Sequence, residues 1–318
     1  MSPWLLTIPA ALVLMVLGIC YYCYRRVFYS APRVQSDEIP IPPGEEYDPY
    51  RELIAEWIRT VRRTEHRDVE VRSFDGLRLV AKYFEYEPGA PIEILFHGYR
   101  GTAERDTAGG VLRCFSVGHS VLLVEQRAAG NSEGSVITFG INERRDCHTW
   151  IDFVIREIDP DARIILSGVS MGAATVMMAA GDPLPENVIG VLADCGYTSP
   201  KEIIKKVIAD MKLPPNLVYP FVRLGARIFG HFDLEENSPI EALAHATRPV
   251  IFFHGDADGF VPHEMSLANF EACSSQKKMV TVAGAAHGLA YPRDEQKYVA
   301  EARAFFAPLE RKNRENNN

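Results

Sequence analysis

Short apolar runs alternate with longer helical patterns over about 250 residues, and this alternation limits the possible folds more than any other feature of the sequence. Six mostly apolar runs have the length expected of strands that are covered on both faces. They are residues 92–96, 121–124, 164–166, 188–192, 250–253 and 279–282. Helical patterns lie at residues 102–117, 142–158, 171–180, 264–272 and 294–306. Before them, an Asp75-Gly76 turn between two β-rich segments indicates an antiparallel hairpin. The order predicts a mostly parallel α/β sheet with helices on both faces and an antiparallel start.

The composition excludes several functional classes. The chain has 318 residues, of which 47% are apolar and 24% charged, as in an ordinary globular protein. Lys and Arg total 34 against 42 Asp and Glu, a formal charge of −8, and there is no basic run, so we expect no nucleic-acid partner. Six cysteines are too few for a disulfide scaffold. Because Cys114, Cys147, Cys195 and Cys273 have no metal-ligand spacing, we expect buried thiols, and we expect neither a metal nor an organic cofactor.

The N-terminus predicts a membrane anchor over residues 1–30. Residues 4–24 carry no charge, and as a helix they would span roughly 30 Å, the thickness of the hydrocarbon core. The alternative is a cleaved signal peptide, but no basic residue precedes the apolar run. Arg25, Arg26 and Arg33 follow it, which favours a single-pass protein of the cell membrane with the rest of the chain on the cytoplasmic face. An extracytoplasmic domain remains the alternative.

The rest of the chain divides into three parts. Residues 31–47 are rich in Pro and acidic residues and predict an extended linker, and residues 309–318 predict a disordered polar tail. Residues 48–308 then form one α/β domain. Within it, residues 199–246 interrupt the alternation with two helical segments around Pro214-Pro215. An insertion of this size predicts a small helical lid, the alternative being an ordinary crossover with an extra helix.

The strongest local motif is Gly168-Val169-Ser170-Met171-Gly172, which follows a predicted strand and precedes a helix of small residues. This strand–turn–helix context is the one that a G-x-S-x-G nucleophile elbow requires. A serine at the tip of a sharp turn adopts a strained backbone, and flanking glycines avoid a steric clash. The motif predicts Ser170 as a nucleophile facing the start of a helix, where free N–H groups favour negative charge.

A nucleophilic serine needs a base, and the base needs a carboxylate to orient it. In the order Ser, acid, His, His287 is the one histidine that follows a predicted strand at the required place, between small residues. Asp256 and Asp258 both lie in the loop after the preceding strand, and residue patterns alone do not separate them.

The remaining requirement is an oxyanion hole. One donor is the backbone N–H after the nucleophile, and the other comes from the loop after the third strand. These positions predict the N–H groups of Met171 and Tyr99 as the donors. We expect His97, in the same loop, to order the backbone rather than to titrate in a reaction.

Together these motifs resemble the bacterial α/β-hydrolase family described as serine-aminopeptidase-like (S33-type), in particular its membrane-anchored members from Gram-positive bacteria. The resemblance covers residues 68–306 and rests on HGYRG, EQRAAGNSEG, GVSMGAATVM, ADCGYTS, HGDADGFVP and AAHGLAY, in that order. It implies an α/β-hydrolase fold and assigns the acid to Asp258. One loop departs from the family pattern, since Ala128 and Ala129 stand where members commonly carry Gly and His.

These residues predict a serine hydrolase that cleaves an ester of a small-molecule acyl substrate by acyl transfer. An aminopeptidase or a thioesterase would use the same triad. The peptidase would need a further carboxylate for the substrate ammonium, for which Glu235 and Glu236 are candidates. The remaining alternative is a non-catalytic binding module on a hydrolase scaffold. The sequence does not predict an oligomeric state.

Overall fold

The computed structural model describes residues 4–31 and 38–316, and within them the strands form one sheet of eight. The strands are β1 (Arg67–Arg72), β2 (Arg78–Phe84), β3 (Ile92–Phe96), β4 (Ser120–Glu125), β5 (Ile164–Val169), β6 (Val188–Asp194), β7 (Val250–Gly255) and β8 (Lys277–Val282). Their order is β1-β2-β4-β3-β5-β6-β7-β8. The pairs β1–β2 and β2–β4 are antiparallel and the others parallel, which confirms the predicted sheet and its antiparallel start.

Helices cover both faces of this sheet. They are α1 (Trp4–Val27), α2 (Arg51–Arg63), α3 (Ala103–Ser116), α4 (Glu143–Phe153), α5 (Met171–Ala180), α6 (Pro200–Asp210), α7 (Pro215–Gly225), α8 (Pro239–Leu243), α9 (His263–Ala272), α10 (Ala290–Arg293) and α11 (Glu295–Asn316). Single turns of other helix types lie at Glu45–Tyr50, Val154–Ile158 and Ala226–Gly230.

The central strands are apolar on both sides because each side meets helices. Along β3, Ile94 packs towards α4 and α5, whereas Leu95 packs towards α2 and α3. Helices α8 and α9 complete the first layer, and α11 completes the second. Cys114, Cys147, Cys195 and Cys273 are buried and free, as the sequence predicts.

The end of α1 belongs to the folded domain. Residues Ile8 and Leu14 are 61% and 69% exposed, but Cys20 and Phe28 are completely buried. Segment Ile8–Val27 is long and apolar enough to cross a membrane, judged by length and composition. The first part of α1 therefore projects from the domain, whereas one side of residues 20–30, with Cys20, Tyr24 and Phe28, packs into it.

The insertion at residues 199–246 consists of α6, α7 and α8. Its apolar side chains, among them Ile204 and Val222, share one cluster with Phe28 and with Met178 of α5. Beside Gly225 of α7 there is no room for a side chain, because a Cβ there would overlap the backbone carbonyl of Cys20. The insertion thus packs between α5 and the end of α1.

Two predicted boundaries need correction. Ile39, Ile41 and Tyr47 pack against the apolar cluster of α2 and α3, so residues 38–47 lie on the domain instead of forming a free linker. Residues 32–37, including Arg33, lie outside the described residues. The predicted disordered tail is also wrong as far as residue 316, since α11 continues to Asn316. Glu, Lys and Arg favour a helix, and Glu310 bonds to the domain at His119.

A buried ionic network connects α11 to the sheet. Glu93 of β3 pairs with Arg113 of α3 and accepts hydrogen bonds from Ser167 (2.7 Å) and from His119 Nδ1 (2.7 Å). The other ring nitrogen of His119 lies 3.1 Å from Glu310 Oε1. Burial alone would lower the pKa of His119, but its two carboxylate partners outweigh burial and raise that pKa to about 9. The imidazolium is therefore part of the folded state.

The free energy of unfolding should depend on pH through His119. A pKa raised from 6.5 to about 9 stabilises the fold below pH 6.5, and this stabilisation is lost as the pH rises through 9. We expect wild type to lose about 2 to 3 kcal/mol more than His119→Gln over this window in urea titrations. The exposed His245→Gln is the control and should behave as wild type. Equal losses in wild type and His119→Gln would contradict this assignment.

Candidate active site

Ser170 occupies the turn between β5 and α5 in a strained conformation. Its φ is 57° and its ψ −116°, a region that non-glycine residues rarely adopt. The flanking glycines make the turn possible. A Cβ on Gly168 would overlap the first turn of α5, and one on Gly172 would overlap the carbonyl oxygen of Phe96. The predicted elbow is thus formed by close contact between α5 and the backbone of β3 and β5.

A continuous chain of hydrogen bonds links the three predicted residues. Ser170 Oγ lies 2.9 Å from His287 Nε2, and His287 Nδ1 lies 2.7 Å from Asp258 Oδ2. With its proton on Nδ1, the imidazole donates to the carboxylate and accepts from the serine hydroxyl. Asp258 and His287 come from the loops after β7 and β8, so the sheet brings Ser170 into contact with a histidine that lies 117 positions later in the chain.

The geometry distinguishes the two candidate acids. Asp256 Oδ1 accepts a hydrogen bond from the backbone N–H of Gly284 at 2.6 Å, whereas Asp258 is the carboxylate that contacts His287. The second oxygen of Asp258 accepts the N–H groups of Phe260 (2.9 Å) and Val261 (2.8 Å). Asp256 therefore holds the His loop, and Asp258 faces the imidazole.

A second histidine, which the sequence analysis missed, contacts the same carboxylate. His254 is completely buried at the end of β7, with Nε2 3.1 Å from Asp258 Oδ2 and Nδ1 2.6 Å from Ser266 Oγ. Burial would raise the pKa of Asp258, but hydrogen bonds from His254 and His287 outweigh burial and hold it well below its usual range. Asp258 is thus ionised at neutral pH. The available signal was the spacing of four residues between His254 and Asp258.

The loop after β3 lies against Ser170. A Cβ on Gly98 would come within 3.5 Å of Ser170 Cβ, so glycine permits this approach. His97 Nε2 accepts the N–H of Gln126 at 3.1 Å, and Asp106 accepts the N–H of Gly98 at 3.0 Å. This agrees with the expectation that His97 orders the loop. Tyr99 follows Gly98 in this loop.

Met171 is the first residue of α5, so its N–H has no acceptor within the helix. The N–H groups predicted as oxyanion donors thus belong to two segments that meet beside Ser170. The loop that departs from the family pattern keeps its scaffold, because Arg127 pairs with Asp146 (2.6 Å) and Asp75 (2.9 Å). Ala128 and Ala129 are buried there.

A cavity of about 240 Å³ opens at Ser170 and His287. Apolar and aromatic groups dominate its walls, and they come from strands, from α2 and α3, and from the segment before α2. These groups include Pro42, Pro43, Tyr47, Ile54, Trp57, Leu95, Leu192 and Tyr291. The hydroxyl of Tyr47 also donates to the backbone carbonyl of His287 at 2.8 Å. The predicted linker therefore forms one wall of the site.

The insertion does not cover this cavity, in contrast to the predicted lid. Among the described residues, those that line the cavity lie outside 199–246. Many of its apolar side chains pack against α5 and the end of α1, whereas Met211, Leu213 and Leu217 are exposed. Glu235 pairs with Arg223, and Glu236 with Arg145, so neither candidate carboxylate for a substrate ammonium reaches the cavity.

Asp194 of β6 is a further carboxyl group in the cavity wall. Its Oδ2 accepts a hydrogen bond from the Tyr298 hydroxyl at 3.0 Å, and no partner is found for Oδ1 among the described residues. Burial raises the pKa of Asp194 to about 6, despite the hydrogen bond from Tyr298.

One group of potential metal ligands is found among the described residues, namely Cys195, Asp258 and His287. Two of them are hydrogen-bonded to each other, and burial raises the pKa of the Cys195 thiol well above its ordinary value. The set therefore offers no thiolate at neutral pH, and its carboxylate and imidazole are engaged with each other.

No family model matches the chain. Three of its relatives are similar to this chain at low sequence identity. The uncharacterized protein YqkD of Bacillus subtilis is 22% identical over 191 residues, which is 60% of this chain and less than two thirds (63%) of that protein. The uncharacterized protein Rv2307c of Mycobacterium tuberculosis is 28% identical over 224 residues, 70% of this chain and 72% of its own length. Protein bem46 of Schizosaccharomyces pombe is 22% identical over 273 residues, 84% of this chain and 81% of its own.

Solved structures with the same architecture share the α/β-hydrolase fold, and this chain has that fold. The esterase Pf2001 of Pyrococcus furiosus superimposes with a TM-score of 0.67 at 18% identity, covering 88% of this chain and 98% of its own. Est1E of Butyrivibrio proteoclasticus, with ferulic acid bound, gives 0.59 at 20% identity over 76% and 98%. The acylaminoacyl peptidase of Pyrococcus horikoshii gives 0.57 at 18% identity over 79% of this chain and 43% of its own.

The contact at Gly172 can be tested by stability. Alanine would improve helix propensity by up to about 1 kcal/mol, but the overlap with Phe96 should cost more. We expect Gly172→Ala to lower the free energy of unfolding by about 2 to 3 kcal/mol in urea titrations. Gly259→Ala is the control, since a Cβ there meets no atom within 4 Å. A Gly172→Ala protein as stable as wild type would refute the proposed steric constraint.

Proposed function

We propose that this protein is a serine hydrolase that cleaves a carboxylic ester, with Ser170, His287 and Asp258 as its catalytic residues. The observation that carries the proposal is the hydrogen-bonded chain from Ser170 through His287 to Asp258, at a strained elbow that opens into an apolar cavity. Nucleophile, base and orienting acid in hydrogen-bond contact form the arrangement that activates a serine.

In the first half-reaction Ser170 Oγ attacks the ester carbonyl while His287 Nε2 accepts the hydroxyl proton. The ionised Asp258 holds the imidazole in the Nδ1–H tautomer and stabilises the imidazolium that forms. His287 then returns the proton to the leaving alkoxide, which departs as the alcohol and leaves an acyl-serine. In the second half, water attacks the acyl group, its proton passes to His287, and the acid is released as Ser170 regains its proton.

The negative charge on the carbonyl oxygen would be stabilised by the N–H groups of Tyr99 and Met171. Fixed donors aimed at this oxygen act more strongly in the transition state than in the ground state. In comparable enzymes the loss of one such donor costs about 10² to 10³ in kcat.

The cavity favours a neutral acyl group. Its volume is about 240 Å³, and its walls are mostly apolar and aromatic. Three of the charged groups at its wall are engaged within the protein, since Arg113 pairs with Glu93 and Asp106 pairs with Arg105 (2.6 Å). A medium-length alkyl chain or an aromatic ring therefore fits this space better than a charged group.

One observation favours an aminopeptidase as the second candidate. The unpaired Oδ1 of Asp194 could accept a hydrogen bond from a substrate ammonium at the cavity wall. A thioesterase would require no change to the triad. The similarity to the esterases Pf2001 and Est1E is compatible with the ester reaction, and the similarity to an acylaminoacyl peptidase with the alternative. The finer assignment to the S33-type, membrane-anchored group stays part of this proposal.

We further propose that residues 4–24 anchor the protein in the cell membrane. Cys20 and Phe28 are buried in the domain, so cleavage after them would remove side chains from its core. This supports a retained helix over a cleaved leader. Arg25 and Arg26 at its end favour a catalytic domain on the cytoplasmic side.

Substrate preference tests the reaction class. We expect kcat/KM to be highest for 4-nitrophenyl esters of hexanoic to octanoic acid, and lower for the acetate and the palmitate, because the cavity is apolar and has a limited volume of about 240 Å³. Aminoacyl 4-nitroanilides should react far more slowly. Preference for the anilides, lost in Asp194→Asn, would overturn the ester assignment in favour of a peptidase. Absence of turnover with every substrate would favour a binding module.

A pair of conservative variants tests the role of the acid. Asp258→Asn should lower kcat on the preferred ester by about 10³ to 10⁴, because the amide cannot hold the imidazole in the required tautomer. Asp256→Asn is the matched control, since an amide oxygen can still accept the Gly284 N–H. The two variants are compared by steady-state kinetics, with unfolding curves to show that both are folded. Equal losses would contradict the assignment of Asp258.

A further inference from the structure

The end of α1 contacts the predicted oxyanion loop directly. The hydroxyl of Tyr99 donates a hydrogen bond of 2.6 Å to the backbone carbonyl of Val27. Arg100 Nη2 donates to the carbonyl oxygens of Arg26 (2.8 Å) and Tyr29 (3.1 Å). Two successive side chains of the loop therefore bind three backbone carbonyls within four residues at the end of α1.

The loop needs such support because its backbone is strained. Arg100 has a φ of 51°, in the left-handed region that costs energy for a residue with a side chain. A strained conformation persists only where surrounding contacts determine it. The Gly101 N–H closes the turn on the carbonyl of Gly98 at 3.1 Å, and the contacts of Tyr99 and Arg100 to α1 hold the other side.

The segment that supplies these carbonyl acceptors, residues 26–30, is itself held by hydrogen bonds. The N–H of Ser30 donates to the carbonyl of Ser135 (2.9 Å), and the N–H of Ile137 donates to the carbonyl of Phe28 (2.9 Å). These two bonds form an isolated antiparallel β-bridge between Tyr29 and Val136. The Phe28 ring packs edge-on against Phe139 at 5.8 Å.

The same aromatic cluster includes the loop. The Tyr99 ring lies 5.0 Å from the Phe139 ring, so Phe139 contacts both Tyr99 and Phe28. Hydrogen bonds and ring contacts thus join the end of α1 to the residue whose backbone N–H is the proposed oxyanion donor.

We propose that the end of the N-terminal helix, residues 26–30, positions the oxyanion loop through the side chains of Tyr99 and Arg100. The inference rests on the proposed function, because it assigns a role to a loop of that site. Tyr99 is then a positioning residue through its side chain and an oxyanion donor through its N–H. Misplacement of a donor by about 1 Å is enough to cost up to 100-fold in rate. The segment that leads out of the anchor therefore sets the turnover of the site.

The test uses the full chain in detergent micelles and compares wild type with Tyr99→Phe, which keeps the ring and removes the bond to Val27. We expect kcat to fall about tenfold with KM unchanged, since the donor is misplaced only with respect to the transition state. The affinity for a trifluoromethyl ketone, which forms a tetrahedral adduct with the serine, should fall by the same factor. Arg100→Gln should also lower both kcat and the affinity for the ketone.

Tyr219→Phe is the matched control, because it removes a buried tyrosine hydroxyl of the same apolar cluster that bonds to Glu235 (3.1 Å) instead of to α1. It should keep wild-type kcat and ketone affinity. Titration with a fluorophosphonate counts the active sites in each sample and separates positioning from misfolding.

Two results would overturn the proposal. One is a Tyr99→Phe protein with wild-type kcat per titrated site. The other is a loss of titrated sites that accounts for the whole loss of rate, which would show a merely structural role. Failure of the proposed function would look different, since wild type itself would then show neither ester turnover nor labelling.

Discussion

The close approach of α5 to the end of β3 is the contact on which the rest of the site depends. Gly172 lies so near the carbonyl of Phe96 that no side chain fits between them. This approach forces the sharp turn that gives Ser170 its positive φ and puts the hydroxyl in front of the sheet. It also brings the first N–H of α5 and the loop after β3 to the same side of that hydroxyl. A wider spacing between α5 and β3 would separate the Ser170 hydroxyl from both groups.

Two segments at the periphery have structural roles other than those that their sequence predicts. The insertion, at residues 199–246, resembles a lid, but it packs many of its apolar side chains against α5 and the end of α1 and does not line the cavity. The Pro-rich segment before α2 resembles a linker but forms a wall of the cavity, and Tyr47 bonds to the backbone of His287. The N-terminal part of the chain thus contacts the site twice, at the oxyanion loop and at the cavity. The first of these contacts places Ser170 close to the end of α1.

The extent to which sequence predicted this structure follows from the range of the interactions. The strands, the elbow at Ser170 and the loop position of His287 depend on local patterns, and they were predictable. The choice between Asp256 and Asp258 was not, because both lie in one loop and only the fold decides which carboxylate faces the imidazole. His254 supports Asp258 from within a strand, where its pattern is that of a core residue.

The errors at the chain ends have a similar cause. Ile39 and Ile41 find their partners on α2 and α3, and a Pro-rich composition does not show such contacts. Glu310 bonds to His119 at a sequence separation of 191 residues, so a polar tail that has no partner locally becomes the end of an ordered helix. Composition and periodicity could not predict these contacts, because the partners of both short segments are distant in the sequence.

The central claim is that the Ser170 hydroxyl is the nucleophile, activated by His287. The most direct measurement is peptide mapping by mass spectrometry after treatment of the full-length protein with a fluorophosphonate. The account predicts one adduct, on Ser170, formed rapidly in wild type and absent from folded Ser170→Ala. An adduct on another serine, or undiminished labelling of Ser170→Ala, would contradict it.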